Sequence, residues 1–138
     1  MLFRSRGDGT TAAEGIAGIF VGCKYLSVSQ KRTVWSNYWP GSDVASGNDV
    51  EGYVINDPNA TFIVNGPSIA AADVNLNIGY TIGTGDTATG ISGAYASGAA
   101  TTATLPFRIV ALADSVTGGT DNIIVRFNNV ATKSLTGI

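Results

Sequence analysis

Histidine does not occur anywhere in the 138 residues. Its absence removes Ser-His-Asp and Cys-His arrangements, His-ligated zinc and the usual general base near neutral pH. Cysteine occurs once, as Cys23. One thiol excludes an intrachain disulfide framework and a Cys-only zinc site within one chain, and Cys23 reads as a small buried hydrophobe. Charged residues make up 13% of the chain, against about 25% in an ordinary soluble domain. The solvated face is therefore modest, and part of the surface is expected to be covered by something else. No run of about 18 apolar residues occurs, so no membrane span is expected. The start, Met1-Leu-Phe-Arg-Ser-Arg-Gly-Asp8, has charges where a signal peptide has its apolar core, so no secretion signal is expected. No Gly-x-x-x-x-Gly-Lys phosphate loop is present.

Lysine and arginine are also missing from one long stretch. Residues 33 to 107 hold neither, yet carry Asp43, Asp49, Glu51, Asp57, Asp73 and Asp86, a net −6. Residues 1 to 32 hold Arg4, Arg6, Lys24, Lys31 and Arg32 against Asp8 and Glu14, a net +3. The remainder is +1, which gives the −2 of the whole chain. Such asymmetry suits a subunit that meets copies of itself or a neighbour of complementary potential. The basic clusters are too small for a nucleic-acid footprint, so nucleic acid is not expected as a partner.

What the chain has instead is glycine, 18 residues of it, with many Thr, Ser, Asn and Val. This composition favours strands and tight turns. Two runs organise the rest. Gly15 to Tyr25 mixes glycine with β-branched and aromatic residues, and Arg32 to Trp39 stops at Pro40-Gly41. The segment between them has the length of a hairpin connection, so the two read as adjacent antiparallel strands. They hold both tryptophans and the cysteine, and large aromatics contribute most to cores and interfaces. If the strand alternation runs through Trp39, Trp35 and Trp39 share a face with Asn37, and Tyr38 lies opposite.

Further strands are expected at Val50 to Asn56, Thr61 to Asn65, Val74 to Ile82, Leu105 to Ala113 and Asn122 to Asn128, with a short edge strand at Ile91 to Tyr95. Leu105 to Ala113 is apolar on both faces and reads as fully buried. Asp57-Pro58-Asn59 and Gly118-Gly119 read as turns. Ser68 to Asp73 is the one credible helical turn, capped by Ser68. Residues 83 to 90 read as a flexible connection, and Ser97 to Thr104 as a surface loop. The fold class is all-β, an antiparallel β-sandwich or β-barrel of about seven to eight short strands. Residues 1 to 14 form an extended N-terminal arm, and residues 15 to 138 a single β-domain.

Few constellations carry chemistry. Asp49, Glu51 and Asp57 are carboxylates of the type that glycoside hydrolysis uses, but no other feature supports catalysis, and no enzyme activity is expected. Asp43, Asn48, Asp49 and Glu51 offer oxygens to calcium, but miss the EF-hand spacing and read as solvated loop acids. No metal or cofactor is expected. Arg6-Gly7-Asp8 reads as a turn, and Asn59-Ala60-Thr61 is a glycosylation sequon in form alone. Trp35, Tyr38 and Trp39 are candidates for a sugar platform, or for packing in a core or subunit interface.

Four segments together carry a resemblance. Gly18-Ile-Phe-Val-Gly-Cys-Lys-Tyr25, Trp35-Ser-Asn-Tyr-Trp-Pro-Gly41, Asp57-Pro-Asn-Ala-Thr-Phe-Ile-Val64 and Leu105-Pro-Phe-Arg-Ile-Val-Ala-Leu112 resemble capsid cement or decoration proteins of tailed bacteriophages. The resemblance spans residues 15 to 128. It implies a non-enzymatic virion protein on the capsid exterior, made in the host cytoplasm. It also implies binding to the major capsid protein and association with itself as a dimer or trimer. Arg4, Arg6, Trp35, Tyr38 and Trp39 are the expected contact residues. A carbohydrate-binding or host-attachment module is the alternative.

Overall fold

The computed structural model describes residues 2–5, 16–86, 88–114 and 120–130, with the backbone alone for 2–5, 120 and 121. Nine strands lie among them: β1 (Leu2–Ser5), β2 (Ile16–Ser27), β3 (Arg32–Ser36), β4 (Glu51–Ile55), β5 (Thr61–Ile69), β6 (Asn77–Thr81), β7 (Tyr95–Ala100), β8 (Phe107–Leu112) and β9 (Thr120–Phe127). The one helical element described is a 3-10 turn at Ala71–Asp73. All strand pairs are antiparallel. The chain is therefore all-β, as its composition implies, and its strands form two sheets.

The first sheet is built on β2. β1 pairs with its first half (Leu2 opposite Phe20, Ser5 opposite Ile16), and β3 with its second half (Cys23 opposite Ser36, Ser27 opposite Arg32). β4 pairs from Ile19 to Lys24 and so overlaps both. A strand has two edges, so β1 and β3 lie end to end along one edge and β4 occupies the other. The sheet has four strands but is three wide. Leu2–Ser5, expected as part of an extended arm, supplies an edge strand. Arg4 stands opposite Gly18 there, and Arg6 lies outside the described residues.

The second sheet has the order β5-β9-β8-β6-β7. Its terminal strands β5 and β7 come within 8 Å of each other between Cα atoms, so the sheet curls toward a barrel. Its interior is the main core, with Ile78, Phe107, Ile109, Ile123, Val125 and Phe127 all nearly inaccessible to water. β9 shows the alternation read from the sequence: Ile123, Val125 and Phe127 are buried while Arg126 is exposed.

β2 serves two cores. Ile19 packs with the main core, whereas its neighbour Phe20 packs with Cys23 and Tyr25 in a second, smaller one. Successive strand residues point to opposite faces, so one strand feeds both. The register shift between Phe20 and Gly22 then brings Cys23 to the Phe20 side, since one extra residue inverts the alternation. Val34, Val44 and Val50 complete the small core.

Several local expectations differ from the structure. β8 is buried on one face only, with Val110 exposed; an antiparallel sheet over a single core covers one face and leaves the other wet. Ser68 does not cap a helix. It lies in β5 with φ +68°, and the Asp73 carboxylate accepts the Ala70 N–H at 2.9 Å instead. The strand expected from Val74 begins at Asn77, because Asn75 takes φ +75° and the preceding residues form a turn. The small residues from Ser97 to Ala100 belong to strand β7. Residues 83–86 and 88–90, expected as a flexible connection, are hydrogen-bonded to the segment that follows: Gly83 N–H donates to Gly93 O at 3.1 Å and Asp86 N–H to Ile91 O at 3.0 Å. The turn at Asp57-Pro58-Asn59 forms as read, with Asn59 N–H donating to the Asp57 carboxylate at 2.9 Å. The Gly118-Gly119 turn and the tail from residue 131 lie outside the described residues. Among the described residues, no helix is long and apolar enough to cross a membrane.

Candidate docking surface

The sequence singles out Trp35, Tyr38 and Trp39, and the structure leaves all three open to solvent, at 56%, 43% and 43% of their surface. It does not bring them onto one face. β3 ends at Ser36, so the alternation that would have carried Trp39 to the side of Trp35 stops short. Trp35 stands opposite Lys24, and its indole lies over Gly22. A Cβ at Gly22, where φ is +158°, would run into that ring. Only glycine lets the indole lie down on the sheet here.

Trp35 is joined by a residue that the sequence reading did not select. Tyr53 of β4 stands opposite Gly22, and its ring meets Trp35 at 5.0 Å between centroids, tilted by 53°. The pair fits the offset geometry that aromatic rings prefer. The Tyr53 hydroxyl donates to Glu51 Oε1 at 2.6 Å, and Lys24 Nζ lies 3.4 Å from Glu51 Oε2. The Tyr53 hydrogen bond, then Lys24, hold the Glu51 carboxyl below its usual range. Trp35, Tyr53, Lys24 and Glu51 thus form one contiguous, exposed ledge across three strands. Tyr53 had one legible signal, its place beside Glu51 on an alternating strand, but nothing local places it under Trp35.

Trp39 and Tyr38 face another way. Trp39 packs against Phe20 at 6.5 Å, and Cys23 Sγ donates to the Tyr38 carbonyl at 3.3 Å. Cys23 is fully buried, and burial raises its pKa. The two aromatics line an open groove of about 320 Å³ together with Ile82, Gly83, Gly85, Asp86, Gly90 and Ile91. A Cβ at Gly90 would fall 2.5 Å from the Tyr38 ring, so glycine permits the loop to close on Tyr38.

The acidic candidates do not converge. Asp43 accepts from Ser27 Oγ at 2.7 Å, Ser29 N–H at 2.8 Å and the Tyr25 hydroxyl at 3.5 Å. Asn48 donates to the Ala45 and Ser46 carbonyls. Glu51 is engaged in the ledge. Among the described residues, no three His, Cys, Asp or Glu side chains are grouped to hold a metal ion.

Asp43 instead ties the 41–50 loop to the β2–β3 hairpin. The Ser27 hydroxyl, then the Ser29 N–H, lower its pKa from 3.8. A carboxyl with a depressed folded-state pKa stabilises the fold above its unfolded value, and the contribution disappears as pH falls through the folded value. Stability measured by urea is therefore expected to decline as pH drops below about 4, and Asp43→Asn is expected to flatten that decline. An identical acid profile in the variant would show that Asp43 does not carry it.

Comparison of the chain with protein-family models, with curated proteins and with solved structures finds no match.

Proposed function

We propose that this chain is a non-enzymatic virion structural protein. In this reading it is a capsid cement or decoration protein of a tailed bacteriophage, which binds the outside of the major capsid protein shell and associates with copies of itself. The observation that carries this reading is the aromatic ledge of Trp35 and Tyr53, exposed on a charge-poor protein. Exposed aromatics set among few charges have the composition of an interface centre, and tryptophan and tyrosine are the residues that dominate such interfaces. The resemblance of the four segments supports the identity of the partner. The mechanism is adhesive: each contact is weak, and many copies acting together stabilise the assembled shell.

Co-sedimentation with capsids that lack the protein tests this. Saturable binding at a fixed ratio to the major capsid protein is expected. Trp35→Ala is expected to weaken it by at least about tenfold, as for a buried interface anchor. An unfolded variant would lose the near-ultraviolet signals of Trp39 and the tyrosines, so folding is checked in the same sample. Wild-type protein that does not sediment with capsids would overturn the reading.

The groove between Tyr38, Trp39 and the 82–93 loop favours a second reading, a carbohydrate-binding module. It combines two aromatic rings with glycine backbone from the 82–86 and 90–93 segments, the mixture of apolar walls and few polar groups that small-ligand sites use; the Asp86 carboxylate itself is taken up by the Ala88 N–H and the Thr89 hydroxyl. Binding on a glycan array that Trp39→Ala abolishes and Trp35→Ala spares would select it.

A further inference from the structure

We infer that the chain assembles head to tail, the outer face of the five-stranded sheet of one copy taking the β4 edge of the next. This deepens the self-association in the function proposed above and rests on it. On the outer face, Thr61 is paired with Arg126, Arg126 with Arg108, and Arg108 with Asn77. Directly opposed residues of antiparallel strands project to the same side. Two guanidinium groups therefore lie on neighbouring strands, an arrangement unfavourable in itself. Asn77 Oδ1 accepts the Arg108 Nε–H at 3.0 Å and fixes one of them. Among the described residues, the ion pair present is Lys24 with Glu51, and neither arginine is matched by a carboxylate. Beside the row, Ile63 and Val110 are 62% and 40% exposed. The face is an apolar strip with unbalanced positive charge.

The β4 edge is its counterpart. Among the described residues β4 pairs only with β2, and all five of its residues are exposed. Its exposed apolar side chains alternate across the strand, Tyr53 and Ile55 on one face and Val54 on the other. Asp49 and Asp57 flank the strand and are exposed, and Glu51 lies within it, with Lys24 as the one cation paired there. Apolar centres meet and opposite charges face each other when the two surfaces join, the arrangement of a core with a polar rim. A two-fold dimer through either surface would set arginine against arginine or carboxylate against carboxylate. The joint is therefore heterologous, and such joints close into rings or continue as filaments. Two arginines among exposed aliphatic side chains are too few for a phosphate-tracking footprint, so a second copy is the occupant.

The test uses the full chain without capsids, so failure to bind capsids and failure to self-associate are separate results. Sedimentation velocity over a concentration series is expected to show association that weakens as salt rises. Arg126→Glu and the double change Asp49→Lys with Asp57→Lys are each expected to weaken it by roughly tenfold or more. All three side chains are exposed; Asp57→Lys also removes the acceptor of the Asn59 N–H in its turn, so melting curves check that each variant folds. Mixing the two variants is expected to restore association, because the glutamate of one then faces the lysines of the other. A wild-type chain that stays monomeric at low salt overturns the proposal. So does an Arg126→Glu chain that associates like the wild type, or a mixture that does not recover.

Discussion

Phe127→Ala is expected to cost about 3–5 kcal/mol, the range for removing a fully buried aromatic, and to lower the melting temperature by roughly 10–20 °C. Phe127 is 1% exposed and stands where three strands meet. Its ring stacks on Phe107 of β8 at 5.8 Å and 24°, and receives Phe62 of β5 edge-on at 5.1 Å and 66°. Phe107 in turn meets Tyr80 of β6 at 6.4 Å. Truncation at Phe127 therefore opens a cavity between rings that belong to strands far apart in the chain, and the curled sheet cannot collapse into it without moving β5. Phe127→Leu keeps most of the volume and should lose less. Thermal unfolding followed by circular dichroism measures both, and an alanine variant that melts within about 2 °C of the wild type contradicts this account of the core.

Asn128→Asp is the second large effect, expected at about 3 kcal/mol or more at neutral pH. Asn128 is 8% exposed. Its Nδ2 donates to the Ala103 carbonyl at 3.0 Å and to the Leu105 carbonyl at 2.9 Å, and its backbone N–H donates to Pro106 O at 2.7 Å. The side-chain amide thus holds the 101–106 connection against the end of β9. Aspartate has almost the same shape but no donor when ionised, so it would point negative oxygens at two carbonyls. Its folded-state pKa should be raised, since the protonated acid can still donate. Such a group destabilises least below its unfolded pKa of about 3.9, and increasingly as pH rises through the folded value. The gap between variant and wild type in urea unfolding should therefore be smaller at low pH than at neutral pH. A gap that is constant or grows on acidification would show that the lost donor is not the cause.

Much of the fold was legible because it is local. Ile123, Val125 and Phe127 alternate with Ile124 and Arg126, and a strand with one buried face must show that period. Asp57-Pro58-Asn59 announces its turn because the aspartate can bond the backbone two residues on, as it does. The β2–β3 hairpin follows from two runs rich in β-branched and aromatic residues, separated by one short connection. Where the reading went astray, the deciding partner was distant. Ser97 to Ala100 looks like a loop because its residues are small, yet β6 offers it a hydrogen-bonding edge. Asn77 looks solvent-facing by alternation, yet it is 5% exposed, because Arg108 and the Thr102 carbonyl satisfy its amide from 31 and 25 residues away.

The candidate surface divides in the same way. The sequence by itself determined that the chain would be all-β, that catalysis by histidine or a cysteine-only zinc site within one chain was excluded, and that both tryptophans and the cysteine would sit in or beside the first hairpin. Those conclusions need only residue types and short-range periodicity. The tertiary structure alone decided that Trp35 and Trp39 face different surroundings, since that depends on where the ladder of β3 stops. It alone brought Tyr53 against Trp35 over Gly22, and Arg126 beside Arg108. Cross-strand neighbours are set by register, and register is a property of pairing between segments, which no single segment contains.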